Sequence, residues 1–204
     1  MQFLYEKLHE NAKPPEKAHE LDSGYDVFLY DVKSIYPFDR SEPVDLSEPL
    51  PVVIRDDLHP LGSLRGRFNG AHDKDFWQEG QEITLYPGER MMVGTGLKCC
   101  VDKDIIDIAG VACTVELQAR PRSGLSWKKD ILIMNTPGTL DNPYRGETCI
   151  LLKNNSTREN VTLKVGDKIA QLVPNFVPLL RLKEVPQLPS DTERGDKGFG
   201  SSGR

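Results

Sequence analysis

Residues 111–152 read VACTVELQARPRSGLSWKKDILIMNTPGTLDNPYRGETCILL. Apolar runs at 111–117 and 131–134 flank a polar, glycine-containing break. A third run follows at 148–152, after Pro137, Gly138 and Pro143 have interrupted the chain. Each run is too short for a core helix and too apolar for a loop, which leaves buried or half-buried strands. Only residues 123–129 carry a helical pattern, enough for about two turns.

The same texture extends outward. Short apolar runs recur at 83–85, 91–93, 161–163 and 168–173, separated by Pro87-Gly88, Asn154-Asn155 and Gly166-Asp167. Many short strands at near-regular spacing predict an all-β sandwich or barrel. Strand–helix alternation and internal repeats are both missing, so a parallel sheet and a solenoid are excluded.

Residues 31–81 differ in texture. Pro37, Pro43, Pro49, Pro51 and Pro60 and many acids leave little apolar periodicity, which reads as a loop-rich insertion of about fifty residues. Ile35, Tyr36, Phe38, Phe68, Phe76 and Trp77 give it something to pack with. Residues 191–204, DTERGDKGFGSSGR, cannot bury enough apolar surface to order themselves and are expected to form a flexible glycine-rich arm. The expected organisation is one domain over 1–190, with the 31–81 insertion inside it, followed by that arm.

Composition narrows the function. The 204 residues carry a net charge of −5, with 28% charged and 38% apolar residues. A negative chain is poorly suited to duplex DNA, whose binding rests on Lys and Arg neutralising phosphates. No apolar run reaches membrane-spanning length. Cys99, Cys100, Cys113 and Cys149 lack C-x-x-C spacing, pointing to a reduced, cytoplasmic setting. His9, His19, His59 and His72 show no metal spacing, so zinc catalysis is not expected.

Five short polar-plus-glycine segments stand between the strand-like runs. They are DSGYD at 22–26, RPRSGLS at 120–126, GTLDNPYRGE at 138–147, GDKIAQL at 166–172 and the terminal RGDKGFGSSG at 194–203. Singly, each reads as a turn. Together and in this order they closely resemble the five motifs of the trimeric dUTPase family. The resemblance covers the region of the first segment and then residues 82–204, about two-thirds of the chain.

The resemblance implies a dUTPase-like distorted β-barrel or jelly roll, and hydrolysis of dUTP to dUMP and pyrophosphate by water attack on the α-phosphorus. It assigns Asp141 as the catalytic base that orients and deprotonates the water. A triphosphate needs donors and cations, and the matched positions are Arg122, Ser123, Gly124 and Gln171, with Arg194, Gly200, Ser201 and Ser202 from the arm. Base and sugar would be read by Asn135, Gly138, Leu140 and Tyr144 on a strand-turn-strand hairpin, with Phe199 stacking over the base. Mg²⁺ would arrive on the phosphates, its waters held by Asp26, with Asp22 a neighbour of similar chemistry. Homotrimers with active sites shared between subunits are implied as well.

The chain departs from the family pattern in one large respect. Asp26 and Arg122 stand about fifty residues further apart than the family's usual forty or so, and residues 31–81 are the excess. That stretch is a candidate surface for a protein partner. Two other readings remain. One is a nucleotide-binding regulatory protein on a dUTPase scaffold, acting through the insertion. The other is a dCTP deaminase, which would need a glutamate where this chain has Leu151.

Overall fold

The computed structural model describes residues 1–36, 68–69, 79–189, 192 and 195. Fourteen strands and one helix occupy them. The strands are β1 (Phe3–Lys7), β2 (Tyr25–Phe28), β3 (Asp31–Tyr36), β4 (Phe68–Asn69), β5 (Glu82–Leu85), β6 (Arg90–Gly94) and β7 (Leu97–Val101). After these come β8 (Ile106–Ile108), β9 (Val111–Arg120), helix α1 (Ser123–Lys129), β10 (Ile131–Ile133) and β11 (Gly138–Asp141). The last three are β12 (Cys149–Asn154), β13 (Val161–Lys164) and β14 (Lys168–Pro178).

Every pairing is antiparallel. The largest sheet runs β11-β9-β14-β2, with β8 also on β9. A second sheet runs β10-β12-β6-β3, a third β13-β5-β4, and β1 pairs with β7. The all-β expectation holds, and the helix expected at 123–129 is the one helix among the described residues, Ser123–Lys129.

Alternation builds the core. In β13, Val161 and Leu163 are buried while Thr162 and Lys164 face out. In β9, Val115, Leu117 and Ala119 point inward and join Val27, Leu85, Val93, Leu152 and Leu172 in one cluster. The opposite face of β9 carries Glu116, Gln118 and Arg120, joined in a file: Gln118 donates to Glu116 at 2.6 Å and Arg120 to Gln118 at 3.0 Å.

Helix α1 is held by one side chain, Leu125. Arg122 precedes it in extended conformation, because Pro121 has just ended β9. Asp130 stops it in the left-handed region at φ 51°, its N–H donating to the Leu125 carbonyl. Beyond β14 the chain is irregular and exposes Leu180, Leu182 and Leu188.

Two sequence expectations need correction. The 31–81 stretch is not wholly an excursion: Asp31–Tyr36 forms β3 on β6, and Phe68–Asn69 pairs with β5. Mixed charged and apolar residues hid β3, because an edge strand needs only one ladder partner. Residues 37–67 and 70–78 lie outside the described residues. The supposed hairpin at 135–144 is also not paired to itself. β11 pairs with β9, Gly138 opposite Ala119 and Asp141 opposite Glu116, while Pro143 removes a donor from any return strand.

Candidate active site

Three segments far apart in sequence meet where β2, β14 and the start of α1 come together. β14 lies between β2 and β9, so that Gln171 stands opposite Asp26 on one side and Arg120 on the other. Pro121 then turns the chain so that the Arg122 side chain reaches back across β14. Its Nε donates to Asp26 Oδ1 at 2.9 Å and its Nη1 to the Lys168 carbonyl at 3.4 Å. Gln171 Nε2 donates to the Pro121 carbonyl at 2.9 Å, which fixes the same turn. Gly24 packs so closely on Gln171 that a Cβ would collide with its Oε1.

Asp26 is the electrostatic hub. Its side chain is only 13% exposed, and Lys168 Nζ holds its second oxygen at 3.0 Å. Lys168 also reaches Glu16 at 2.6 Å. These bonds, Glu16 first and then Asp26, raise the Lys168 pKa and keep it charged. Two cations therefore converge on one carboxylate, beside the exposed Ser123 and Gly124. The first N–H groups of a helix have no partner inside it, so Ser123 and Gly124 leave donors available there.

A cleft of about 550 Å³ opens beside this cluster, lined by Gln118, Arg120, Ser123, Thr136, Pro137 and Gln171 among others. Its donors suit a polyanion. Asn135 and Gly138 border the same region: Asn135 is exposed, and a Cβ on Gly138 would press on its Nδ2 at 3.1 Å.

Asp141, Leu140 and Tyr144 lie elsewhere. β9 serves as the ruler, with Gln171 opposite Arg120 and Asp141 opposite Glu116. Four strand residues separate the two levels, or about 14 Å along the ladder. Asp141 is exposed, and its carbonyl accepts from the Tyr144 N–H at 2.9 Å. Leu140 packs on the edge of the core. Within one chain, then, Asp26, Arg122, Ser123, Gly124 and Gln171 come together, and the Asp141 group stands apart from them. Arg194, Phe199, Gly200, Ser201 and Ser202 lie outside the described residues.

The structure adds residues that the motifs did not single out. Lys168 was within the fourth segment, but its pairing with Asp26 depends on the β14–β2 register. Asn142, read as a turn residue, is buried. Its Oδ1 accepts from Val101 N at 2.7 Å, and its Nδ2 donates to Asp104 at 2.9 Å and to the Lys103 carbonyl at 3.3 Å. No sequence signal joins these distant positions. Among the described residues no cluster of three His, Cys, Asp or Glu could hold a metal. No helix among them is long and apolar enough to cross a membrane.

Fold and cleft together describe an all-β protein with a donor-lined cleft at the start of the one helix among its described residues. A family model described as dUTPase matches residues 80–203, and the chain belongs to the dUTPase family. The deoxyuridine 5'-triphosphate nucleotidohydrolase of Clostridium novyi (strain NT) is 34% identical over 203 residues, 100% of this chain and 99% of the relative. That of Nautilia profundicola is 43% identical over 124 residues, 61% of this chain and 79% of the relative. Among solved structures, a mutant dUTPase of Staphylococcus bacteriophage 80alpha with dUpNHpp aligns with TM-score 0.62 at 22% identity, covering 100% of this chain and 99% of that one. A mutant dUTPase of phage phi11 of S. aureus, described for the coordination of a structural Mg(II) ion, aligns with TM-score 0.54 at 21% identity, covering 93% of this chain and 100% of that one.

Proposed function

We propose that the chain hydrolyses dUTP with the triphosphate in the Arg122 cleft of one copy and Asp141 supplied by another. The reaction itself, dUTP to dUMP and pyrophosphate, is that of a dUTP diphosphatase, the activity of its family. The observation that carries the assembly is the separation of about 14 Å between the Asp141 and Gln171 levels of one sheet. A homotrimer with sites shared between subunits closes that gap without moving a strand.

In this reading Arg122, the N–H groups of Ser123 and Gly124, and Gln171 hold the phosphates. Asp141, exposed at the end of β11, orients the attacking water and accepts its proton. Asn135 and the Gly138 backbone read the uracil edge, and cytosine leaves their polar groups unpaired. Tyr144 lies under the sugar and disfavours a ribose 2′-hydroxyl. Leu140 backs β11 against the core. Arg194, Gly200, Ser201 and Ser202 close on the phosphates, with Phe199 over the base.

Mg²⁺ fits as an outer-sphere guest. Asp26 has two oxygens and about four acceptor positions. Arg122 and Lys168 take one position on each oxygen, leaving capacity for a metal-bound water but not for direct coordination. Bound on the triphosphate, the ion would neutralise charge and fix the chain of phosphates. Deamination has no support at position 151, where a half-buried leucine on β12 cannot move a proton. The four cysteines are free, and burial pushes the Cys99 and Cys149 thiols up to about 11, so both rest as neutral thiols.

The test is pyrophosphate release from dUTP, dCTP, dTTP and UTP with Mg²⁺, wild type beside Asp141→Asn. Release from dUTP alone, lost in the variant by about 10²-fold or more, is the expected result. Unchanged turnover in the variant removes Asp141 as base. Binding of dUTP without release from any substrate favours a nucleotide-responsive regulator instead.

A further inference from the structure

The loop that carries Asp141 and Tyr144 back to β12 is pinned by an ion triad outside the site described above. Lys33 Nζ, on β3, contacts Asp31 Oδ2 at 2.6 Å and Glu147 Oε2 at 2.7 Å. The other Glu147 oxygen accepts from the Gly96 N–H at 2.8 Å. The triad is largely covered: the Asp31, Glu147 and Lys33 side chains are 13%, 15% and 28% exposed. Gly94 lies beneath all three, and a Cβ there would collide with Asp31 Oδ1, Glu147 Oε1 and Lys33 Cε. The cluster is thus seated flat on the β6 backbone.

Its composition is costly as mere scaffolding. Two carboxylates share one ammonium, and Asp31 Oδ1 is buried against the Gly94 backbone. A covered ion cluster of this kind contributes little net stability but defines geometry strongly. What it defines is the loop. The Glu147 carbonyl accepts from the Tyr144 hydroxyl at 3.1 Å, and Tyr144 lies tightly over Gly146. The Tyr144 N–H in turn holds the Asp141 carbonyl. A continuous path runs from Lys33 through Glu147 and Tyr144 to Asp141.

We propose that Lys33 is a positioning residue of the dUTP site, acting through Glu147 to fix Tyr144 and Asp141. This rests on the assignment of those two residues given above. Without the ammonium, Asp31 and Glu147 repel across Gly94, Glu147 swings away, and the Tyr144 contact with the loop is released. Sugar discrimination and turnover then fall together, because both depend on the same few ångströms of loop.

Kinetics with dUTP and UTP test this in the full chain, with melting temperature and oligomeric state recorded for each variant. Lys33→Met is expected to lower kcat for dUTP by about 10–100-fold and to narrow the dUTP-over-UTP preference while the protein remains folded. Lys33→Arg restores both to within a few-fold. Lys33→Met combined with Glu147→Gln recovers part of the loss, since the neutral amide still accepts from Gly96 but no longer repels Asp31. A folded Lys33→Met protein with wild-type kcat and preference overturns the proposal. So does an arginine variant, or a double variant, no better than the methionine one. If Lys33→Met does not fold, Glu147→Gln alone decides: a narrowed preference supports the role, and an unchanged one overturns it. Asp141→Asn and Tyr144→Ala run in parallel. If they reduce turnover and preference while Lys33→Met does not, only the positioning role fails. If they leave both unchanged, the assignment of the site fails and takes this proposal with it.

Discussion

Gly24 illustrates how little tolerance the Arg122 cleft has. With Gln171 packed against its Cα, Gly24→Ala must push the amide off the Pro121 carbonyl and loosen the turn that aims Arg122. The expected outcome is a several-fold rise in KM for dUTP with a smaller change in kcat, since what is lost is phosphate binding common to ground and transition states. Steady-state kinetics check it, and an unchanged KM would remove Gln171 from the phosphate contacts. Asp31 makes a different single-residue statement. Burial first, and the nearby Glu147 charge in smaller part, raise its pKa above the ordinary 3.8 despite the Lys33 bond. The folded chain therefore keeps a proton that the unfolded chain gives up, and this contribution to stability falls as pH rises from about 4 through the raised folded value. Lys33, Glu147, Cys149 and Tyr30 are the titratable neighbours. Asp31→Asn removes that slope, so its stability relative to wild type should be higher near pH 7 than near pH 4. Denaturant titrations across that range read it directly.

Strand β3 changes how residues 31–81 should be dissected. It forms the edge of the β10-β12-β6-β3 sheet and carries Lys33, so the body of the enzyme extends to Tyr36. Replacing residues 37–78 by a Gly/Ser linker of about ten residues, which spans ~17 Å, should leave dUTP turnover within a few-fold of wild type. Removing 31–81 should abolish it, because the sheet edge and the Glu147 strut go with it. Equal loss in both deletions would place residues 37–78 at the site. The contrast also shows what the sequence could reveal. β13 and β5 were legible because their buried and exposed residues alternate over four positions. Helix α1 was legible to its ends, since Pro121 and Asp130 bracket it. β3 was not, because its charged residues serve an ion cluster completed by Glu147, and β11 was mispaired because its partner β9 precedes α1 in the chain. The five segments were legible by their order, but the separation of Asp26, Arg122 and Gln171 from Asp141 is a property of ladder register, which local pattern does not carry.

At the scale of the whole molecule, the division of the site predicts complementation. Arg122→Ala and Asp141→Asn should each be nearly inactive alone. Co-refolded in equal amounts, they should regain activity, because about a quarter of all sites pair an intact cleft with an intact aspartate. Failure of two folded, co-assembled variants to complement would return the whole site to one chain.

β14 has a consequence for synthesis. It is the central strand of the largest sheet, between β9 and β2, yet it follows β2 by about 140 residues of chain. At 5–20 residues per second, β2 leaves the ribosome roughly 7–30 s before its ladder partner exists. During that interval Val27 and Phe28 have no sheet to cover them, and β9 lacks the strand that will run along most of its length. The nascent chain therefore cannot complete this sheet piece by piece. Closure waits for Lys168–Pro178 to emerge, and with it comes the apposition of Asp26, Gln171 and Arg122, so the cleft they border forms late.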